Sequence, residues 1–309
     1  MGNQTSKIDM VMPCLLPNDA WYEQYAKIKG NEHPGRVRDI GILKYTLRSI
    51  SKNLPWLNKL YILFFDESQV PEWLNTDCPR LKVVYHKDFI PKEHLPSFNS
   101  ELFSMYYHRI PGLSENFIAT SDDDVYIKSV KSDIYFDNNK SVHHPTQKIV
   151  HNYNMLTKAQ FGKIEKNNYM FLNNYVHDGN MYHFWTFHLP VPMRKSFMEF
   201  MWTKFEKEFN KALANSPKRS DHNINNWLFY NFEEFFNMVK KRKIYNEFPS
   251  GLYHLYDNMT LNELRQKIKS HYILSVNDGD AVNKNFEKVK GFVNTALNEV
   301  FPNKCEFEK

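Results

Sequence analysis

Phe117-Ile118-Ala119-Thr120-Ser121-Asp122-Asp123-Asp124 is the stretch that decides the fold. Four residues of strand-forming character run straight into three carboxylates. Adjacent carboxylates repel, and a strand end that buries them needs a compensating cation. Mg²⁺ or Mn²⁺ bridging two phosphates supplies that charge. A bare Asp triplet is more often a solvated turn; the apolar strand before it tips the balance towards a site.

Outward from this strand the apolar pattern repeats. Ile8–Met12 reads as a first buried strand ended by Pro13, Leu60–Phe65 as a second and Leu81–Tyr85 as a third. Between them, Ile42, Leu43, Leu47 and Ile50 have helical spacing, and Asn53–Trp56 breaks that helix. Asn99 starts another helix with Leu102, Phe103, Tyr106 and Ile110 on its apolar face. Further helices are expected over Ser196–Leu213, His222–Phe236, Leu261–Lys269 and Asn283–Val300, with Tyr272–Val276 as a strand. Strands alternating with helices predict an α/β fold, Rossmann-like, with a mostly parallel sheet. Ligands in such sheets bind at the carboxyl ends of the strands, where the aspartates fall. Residues 126–182 are polar and irregular and read as an insertion with short strands within a single domain, 1–309.

Bulk properties bound the function. The 309 residues suffice for one large domain, and 42% hydrophobic residues for its core. Aromatics reach 16%; most belong to a core, and exposed ones suit stacking on bases or sugar rings. A net charge of +5 is too mild and dispersed for nucleic acid. It suits an anionic small-molecule donor or peripheral contact with an acidic membrane face. Cys14, Cys78 and Cys305 show no zinc-ligand spacing, and their odd number favours a reducing compartment. No run of roughly 18 apolar residues would span a membrane, and a cytoplasmic location is expected. The opening Met1-Gly2 through Ser6 fits a short acylation pattern that is common by chance.

Other clusters are ambiguous alone. In Arg36-Val37-Arg38-Asp39 the arginines suit phosphate oxygens, while Asp39 is equally a helix cap. His188, in Phe187-His188-Leu189-Pro190-Val191-Pro192, suits deprotonating a hydroxyl, but it is one of 13 histidines. Arg219-Ser220-Asp221 precedes a helix and offers caps. Asn277-Asp278 ends a strand, as a turn or as a metal or sugar contact.

Taken together, these clusters resemble the Stealth family, the sugar-1-phosphate transferases of bacterial capsule synthesis. The catalytic part of the lysosomal-enzyme N-acetylglucosamine-1-phosphotransferase is similar. Four blocks appear in order. Ile8-Asp9-Met10-Val11 is the first. The second runs from Arg38-Asp39 and Leu43-Lys44-Tyr45-Thr46-Leu47-Arg48-Ser49-Ile50 through Pro55-Trp56, Val70–Leu74, Leu95–Ser100 and His108–Glu115 to the aspartates. His188-Leu189-Pro190 resembles the third. After the piece with Arg219-Ser220-Asp221 comes the fourth, Val276-Asn277-Asp278, with Phe301-Pro302 and Phe307-Glu308 near the end. The chain departs from the family at Pro13-Cys14-Leu15-Leu16, where a Trp and a Gly are usual, and at Ser121, usually Asn.

The resemblance implies a nucleotide-sugar transferase (GT-A-like) core. It implies catalytic roles for His188, Asp39, Asp123 and Arg219, and donor contacts for Asp9, Arg38, Lys44, Asn99 and Asn277. Asp122, Asp123 and Asp278 would hold Mg²⁺ or Mn²⁺. The implied reaction moves a sugar-1-phosphate from a UDP-sugar to a hydroxyl of a saccharide or lipid-linked saccharide, releasing UMP. A metal-dependent glycosyltransferase releasing UDP, with Asp122 and Asp124 as an Asp-x-Asp pair, is the nearest alternative. A non-catalytic sugar- or nucleotide-binding module is the second.

Overall fold

Strand β1 (Ile8–Pro13) is buried along its first five residues, because it sits mid-sheet with both faces covered. It lies between β2 (Lys59–Phe64) and β4 (Asn116–Ala119), with Met10 opposite Leu60 and Ile118. In the computed structural model, which describes residues 7–28, 37–144, 160–175, 189–242, 248–278, 282 and 284–309, the main sheet has the order β3-β2-β1-β4-β8. Strand β3 (Leu81–Tyr85) is parallel to β2, and β8 (Val191–Arg194) is antiparallel to β4. Alternate residues feed two cores. Met10, Met12, Leu60, Ile62 and Ile118 pack with Leu43, Leu47 and Ile50 of α2 (Leu43–Asn53). Val11, Leu63, Phe117 and Ala119 pack on the other side with α4 (Ser100–Ser104), α6 (Lys195–Leu213) and α7 (Trp227–Phe235).

The order reverses between β1 and β4. In an open parallel sheet the loops after two such strands diverge and leave a crevice, and the aspartates enter it from β4. Asp124 itself begins β5 (Asp124–Tyr126), which pairs antiparallel with β11 (Ile273–Asn277); β10 (Ser250–His254) is parallel to β11. Helices α8 (Leu261–Ser270) and α9 (Phe286–Val300) cover this second sheet through Leu264, Ile268, Val289, Val293 and Leu297. A third small sheet joins β6 (Phe136–Asp137), β7 (Lys140–His143) and β9 (Lys240–Lys241).

The expected strands and the alternating α/β plan are present, with five differences. Helix α1 (Asp19–Lys27) buries only Trp21, so it carries no apolar stripe; Asn18 caps it by accepting from the Trp21 amide. The helix expected from Asn99 to Ile110 is split: α4 ends at Ser104, and a single 3₁₀ turn covers Tyr107–Arg109. The four expected apolar residues are nonetheless buried. A short turn of helix, α3 (His86–Phe89), follows β3. Val191–Arg194, where no strand was expected, forms an edge strand, a place that tolerates Pro192.

The fifth difference lies within 126–182, read as irregular. It contains the expected short strands β6 and β7 but also a 16-residue helix, α5 (Gln160–Tyr175). The inward face of α5 is Ile164, Glu165, Asn168, Tyr169 and Leu172, and its two polar members hide the helical period. Asn168 donates to the Asn225 side chain at 2.6 Å and accepts the Asn225 amide at 3.1 Å. Glu165 is fully buried, and neither carboxylate oxygen has a hydrogen-bond partner. Burial, and then the nearby Glu101, push its carboxyl up to about 8. The folded protein therefore keeps a proton that the unfolded chain releases near its ordinary value. Stability is full below about 4.5 and falls as pH rises, with the loss complete above about 8. Glu165→Gln mimics the protonated form. Thermal melts should give equal midpoints for variant and parent near pH 5, and a higher midpoint for the variant near pH 9. Parallel midpoint curves across that range would refute the assignment.

Candidate active site

Cys14, one residue past β1, continues the sheet by donating its amide to Leu63. Beside it stands Asp122, which accepts from the Cys14 thiol and from the Leu15 amide at 3.5 Å. From α2, Thr46 Oγ1 donates to the Asp122 carbonyl at 2.7 Å. Burial pushes the Asp122 carboxyl up to about 7, with Asp123 next and Asp39 adding a smaller push. Burial, then Asp122, also raises the Cys14 thiol.

Asp123 is fastened by its backbone: Val276 of β11 donates to its carbonyl at 2.9 Å. The Asn277 side chain reaches Asp123 Oδ2 at 3.4 Å, while Oδ1 is buried with no hydrogen-bond partner. Asp124 faces away from this pair. It accepts from Thr120 Oγ1 at 2.9 Å, the Ser121 amide at 2.8 Å and Ser275 Oγ, so it locks the strand-to-strand turn. Two of the three aspartates are thus left for a ligand.

Asp39 is not the cap of α2, whose first residue lies four positions on. Its carboxylate accepts the Gly41 amide at 2.7 Å and closes a tight turn before the helix. Arg38 and Asp278, expected to hold donor and metal separately, neutralise each other. Arg38 donates through Nε and Nη2 to the two Asp278 oxygens at 2.7 and 2.8 Å, donates to the Val282 carbonyl, and stacks on Phe286 at 4.4 Å. Both Asp278 oxygens being occupied, the set of Asp122, Asp123 and Asp278 is not assembled. Among the described residues no three His, Cys, Asp or Glu side chains stand at metal-binding distance. The donors that fit a divalent ion are Asp122 and Asp123. Mg²⁺ commonly takes one or two carboxylates and completes its shell with substrate phosphates and water. The raised Asp122 carboxyl and the orphaned Asp123 oxygen match such an ion.

Three of the expected donor contacts lie elsewhere. Asp9 stands at the opposite end of the sheet, paired with Lys59 and Phe117, and accepts from Asn58 Nδ2 at 2.6 Å and the Ser114 amide at 2.8 Å. Being buried and saturated, it ties two loops together. Asn99 is fully buried: Nδ2 donates to the Ser216 carbonyl and to Asn223 Oδ1, each at 2.9 Å, and Oδ1 accepts the Glu101 amide. No atom of its amide remains for a donor. Lys44 projects outward over Trp73, 5.0 Å from the ring centre. Arg219 belongs to the Asn99 cluster, donating to Ser100 Oγ at 3.0 Å with Glu101 Oε1 at 3.3 Å. His188 and Arg36 lie outside the described residues. Cys14 and Thr46 escaped sequence reading, though a residue just past the central strand of such a sheet is positioned to touch a ligand.

Residues 36–144, spanning Asp39, α2 and all three aspartates, match "Stealth protein CR2, conserved region 2". Over this region the chain resembles the Stealth CR2 family. It is similar over its whole length to the capsular polysaccharide phosphotransferase WcwK of Streptococcus pneumoniae, 27% identical with 98% of this chain and 99% of that protein covered. The receptor polysaccharide phosphotransferase WefC of Streptococcus gordonii is likewise 27% identical, over 98% and 99% of the two chains. Among solved structures, the galactosyltransferase LgtC superposes with a TM-score of 0.42 at 11% identity, covering 93% of this chain and 95% of that one.

Proposed function

We propose that this protein is a phosphotransferase of capsular- or receptor-type polysaccharide synthesis and moves a hexose- or N-acetylhexosamine-1-phosphate from a UDP-sugar to a saccharide hydroxyl. The supporting observation is the half-buried Asp122–Asp123 pair at the sheet's switch point, with one carboxyl raised and one oxygen orphaned. The acceptor oxygen attacks the phosphorus nearest the sugar. A new P–O bond forms, the P–O bond within the diphosphate breaks, and UMP leaves with the electron pair. The sugar–oxygen bond stays intact, so anomeric configuration is retained. A bound Mg²⁺ or Mn²⁺ would supply positive charge to the diphosphate oxygens. Asp122 and Asp123 would hold that ion, Asn277 orients Asp123, and His188 takes the hydroxyl proton.

The glycosyltransferase alternative asks Asp122 and Asp124 to share a metal. Asp124 is committed to Thr120, Ser121 and Ser275, which disfavours that arrangement. A binding module would have no use for two adjacent, repelling carboxylates drawn partly out of water. The acceptor is a saccharide or lipid-linked saccharide, reached through peripheral contact with the inner membrane face. Among the described residues no helix is long and apolar enough to cross a membrane.

The nucleotide product tests the reaction. Incubation with UDP-sugars and a panel of saccharide acceptors should release UMP, and the acceptor should gain a phosphodiester resonance by ³¹P NMR. UDP release with no phosphorus in the acceptor would convert the enzyme into a glycosyltransferase.

A further inference from the structure

Strand β5 is the edge of the second sheet, and its outer side faces a helix instead of another strand. On the inner side, Asp123 accepts from Val276 of β11 at 2.9 Å and Ile127 donates to Tyr272 at 2.8 Å. The backbone groups of Asp122 and Tyr126 point the other way, and side chains of α2 meet them. Thr46 Oγ1 donates to the Asp122 carbonyl at 2.7 Å, Ser49 Oγ accepts the Tyr126 amide at 3.0 Å, and Asn53 Nδ2 donates to the Tyr126 carbonyl at 2.6 Å. Ser129 Oγ closes the row on Asn53 Oδ1 at 3.0 Å. Thr46, Ser49 and Asn53 are all buried. They form one stripe of α2, beside the stripe of Leu43, Leu47 and Ile50 that packs on the main sheet. Apolar residues in their place would strand three backbone groups.

Only the first member of this row touches the candidate site. Asp122 and Asp123 are consecutive, and their carbonyls are gripped from opposite sides, that of Asp122 by α2 and that of Asp123 by β11. Asp122 also carries its carboxylate to the Leu15 amide just past β1. From this geometry we infer that Thr46 is a positioning residue for the Asp122–Asp123 pair. Its hydroxyl fixes the Asp122 peptide against a helix that is itself seated on the main sheet, and so sets where the carboxylates stand. Ser49 and Asn53 hold the rest of the strand's edge and belong to the fold. The inference rests on the proposed cation site and adds to it an uncharged, fully buried side chain. Groups that orient the ligands of a metal without touching it commonly control affinity on the order of 10- to 100-fold.

A comparison of two members of the row separates positioning from general support of the strand. Mn²⁺ is titrated calorimetrically into the protein with UDP present, the heat of Mn²⁺ into UDP alone being subtracted, and thermal midpoints are recorded for every variant. Thr46→Val keeps the side chain's shape and loses the donor, and should weaken Mn²⁺ on the order of tenfold. Thr46→Ser returns the hydroxyl and should recover most of the affinity. Asn53→Ala strands the Tyr126 carbonyl at the far end of the row. It should lower the midpoint at least as much as Thr46→Val while leaving Mn²⁺ affinity almost unchanged. A purely structural row would give no such split, and affinity would follow the midpoint in both variants.

Unchanged Mn²⁺ affinity in Thr46→Val overturns the inference. So does an equal loss in Asn53→Ala, or a loss that Thr46→Ser does not recover. If Thr46→Val does not fold, Thr46→Cys takes its place, since a thiol of similar size is only a weak donor, and affinity equal to the parent's overturns the inference just the same. Failure of the parent protein to bind Mn²⁺ at all overturns the cation site together with it, whereas a parent that binds and a Thr46→Val variant that binds equally well overturn this inference alone.

Discussion

Asp123→Asn is expected to lower turnover by ~10²-fold or more, the scale lost when charge stabilisation at a reacting centre is removed. Asp123 Oδ1 is buried without a hydrogen-bond partner, and its Oδ2 receives only the long Asn277 contact, so an amide fits the space. The backbone anchor from Val276 is untouched. The substitution also removes a charge that pushes Asp122 up, so the metal-free variant should be at least as stable as the parent. Activity should vanish in EDTA and return with Mg²⁺ or Mn²⁺. Nucleotide release under these conditions, with a thermal melt as control, gives the answer. Undiminished turnover by Asp123→Asn, or full activity in EDTA, would remove the metal from the mechanism.

The second large effect concerns stability and lies at the far end of the chain. Arg48 of α2 donates through Nε and Nη2 to the two oxygens of Glu308, each at 2.8 Å, and through Nη1 to the Phe301 carbonyl at 2.9 Å. The Glu308 side chain is 3% exposed and that of Arg48 12%. Burial pushes the Glu308 carboxyl up, but the Arg48 hydrogen bonds and the Cys305 amide outweigh it and hold the group below its ordinary value. Around the pair, Phe307 is fully buried, its carbonyl accepts the Asn75 amide, and Glu308 bridges Leu74. The last residues thus close the groove between α2 and the Trp73 loop.

Arg48→Met leaves a buried carboxylate without its cation. Removing one partner of such a pair costs ~3–5 kcal/mol, against a total of about 5–15 kcal/mol for a folded domain. Urea unfolding should show that loss, and the double variant with Glu308→Gln should recover part of it, because no charge is then stranded. A loss below about 1 kcal/mol would mean the pair behaves as a solvated one.

The strands that build the site were legible locally. Each of β1, β2 and β4 is buried on both faces, so its apolar run is continuous, and the change to carboxylates after Ala119 marks the strand's end at the crevice. The family resemblance rested on α2 and the aspartates, and these are inside the matched region. Helix α5 was not legible, because its buried face includes Glu165 and Asn168, whose burial depends on Asn225.

The same physics divides the site. Sequence alone determined the α/β plan, the resemblance to the Stealth family and the placing of Asp122 and Asp123 at a strand end. These follow from short-range pattern, where a side chain's fate is set by the residues beside it. Only the tertiary structure decided that Asp124 is spent on Ser275, that Asn99 is saturated by Ser216 and Asn223, and that Arg38 and Asp278, 240 positions apart, cancel each other. A polar group's role depends on which donors and charges surround it once water is excluded, and those partners are brought together by the packing of distant elements.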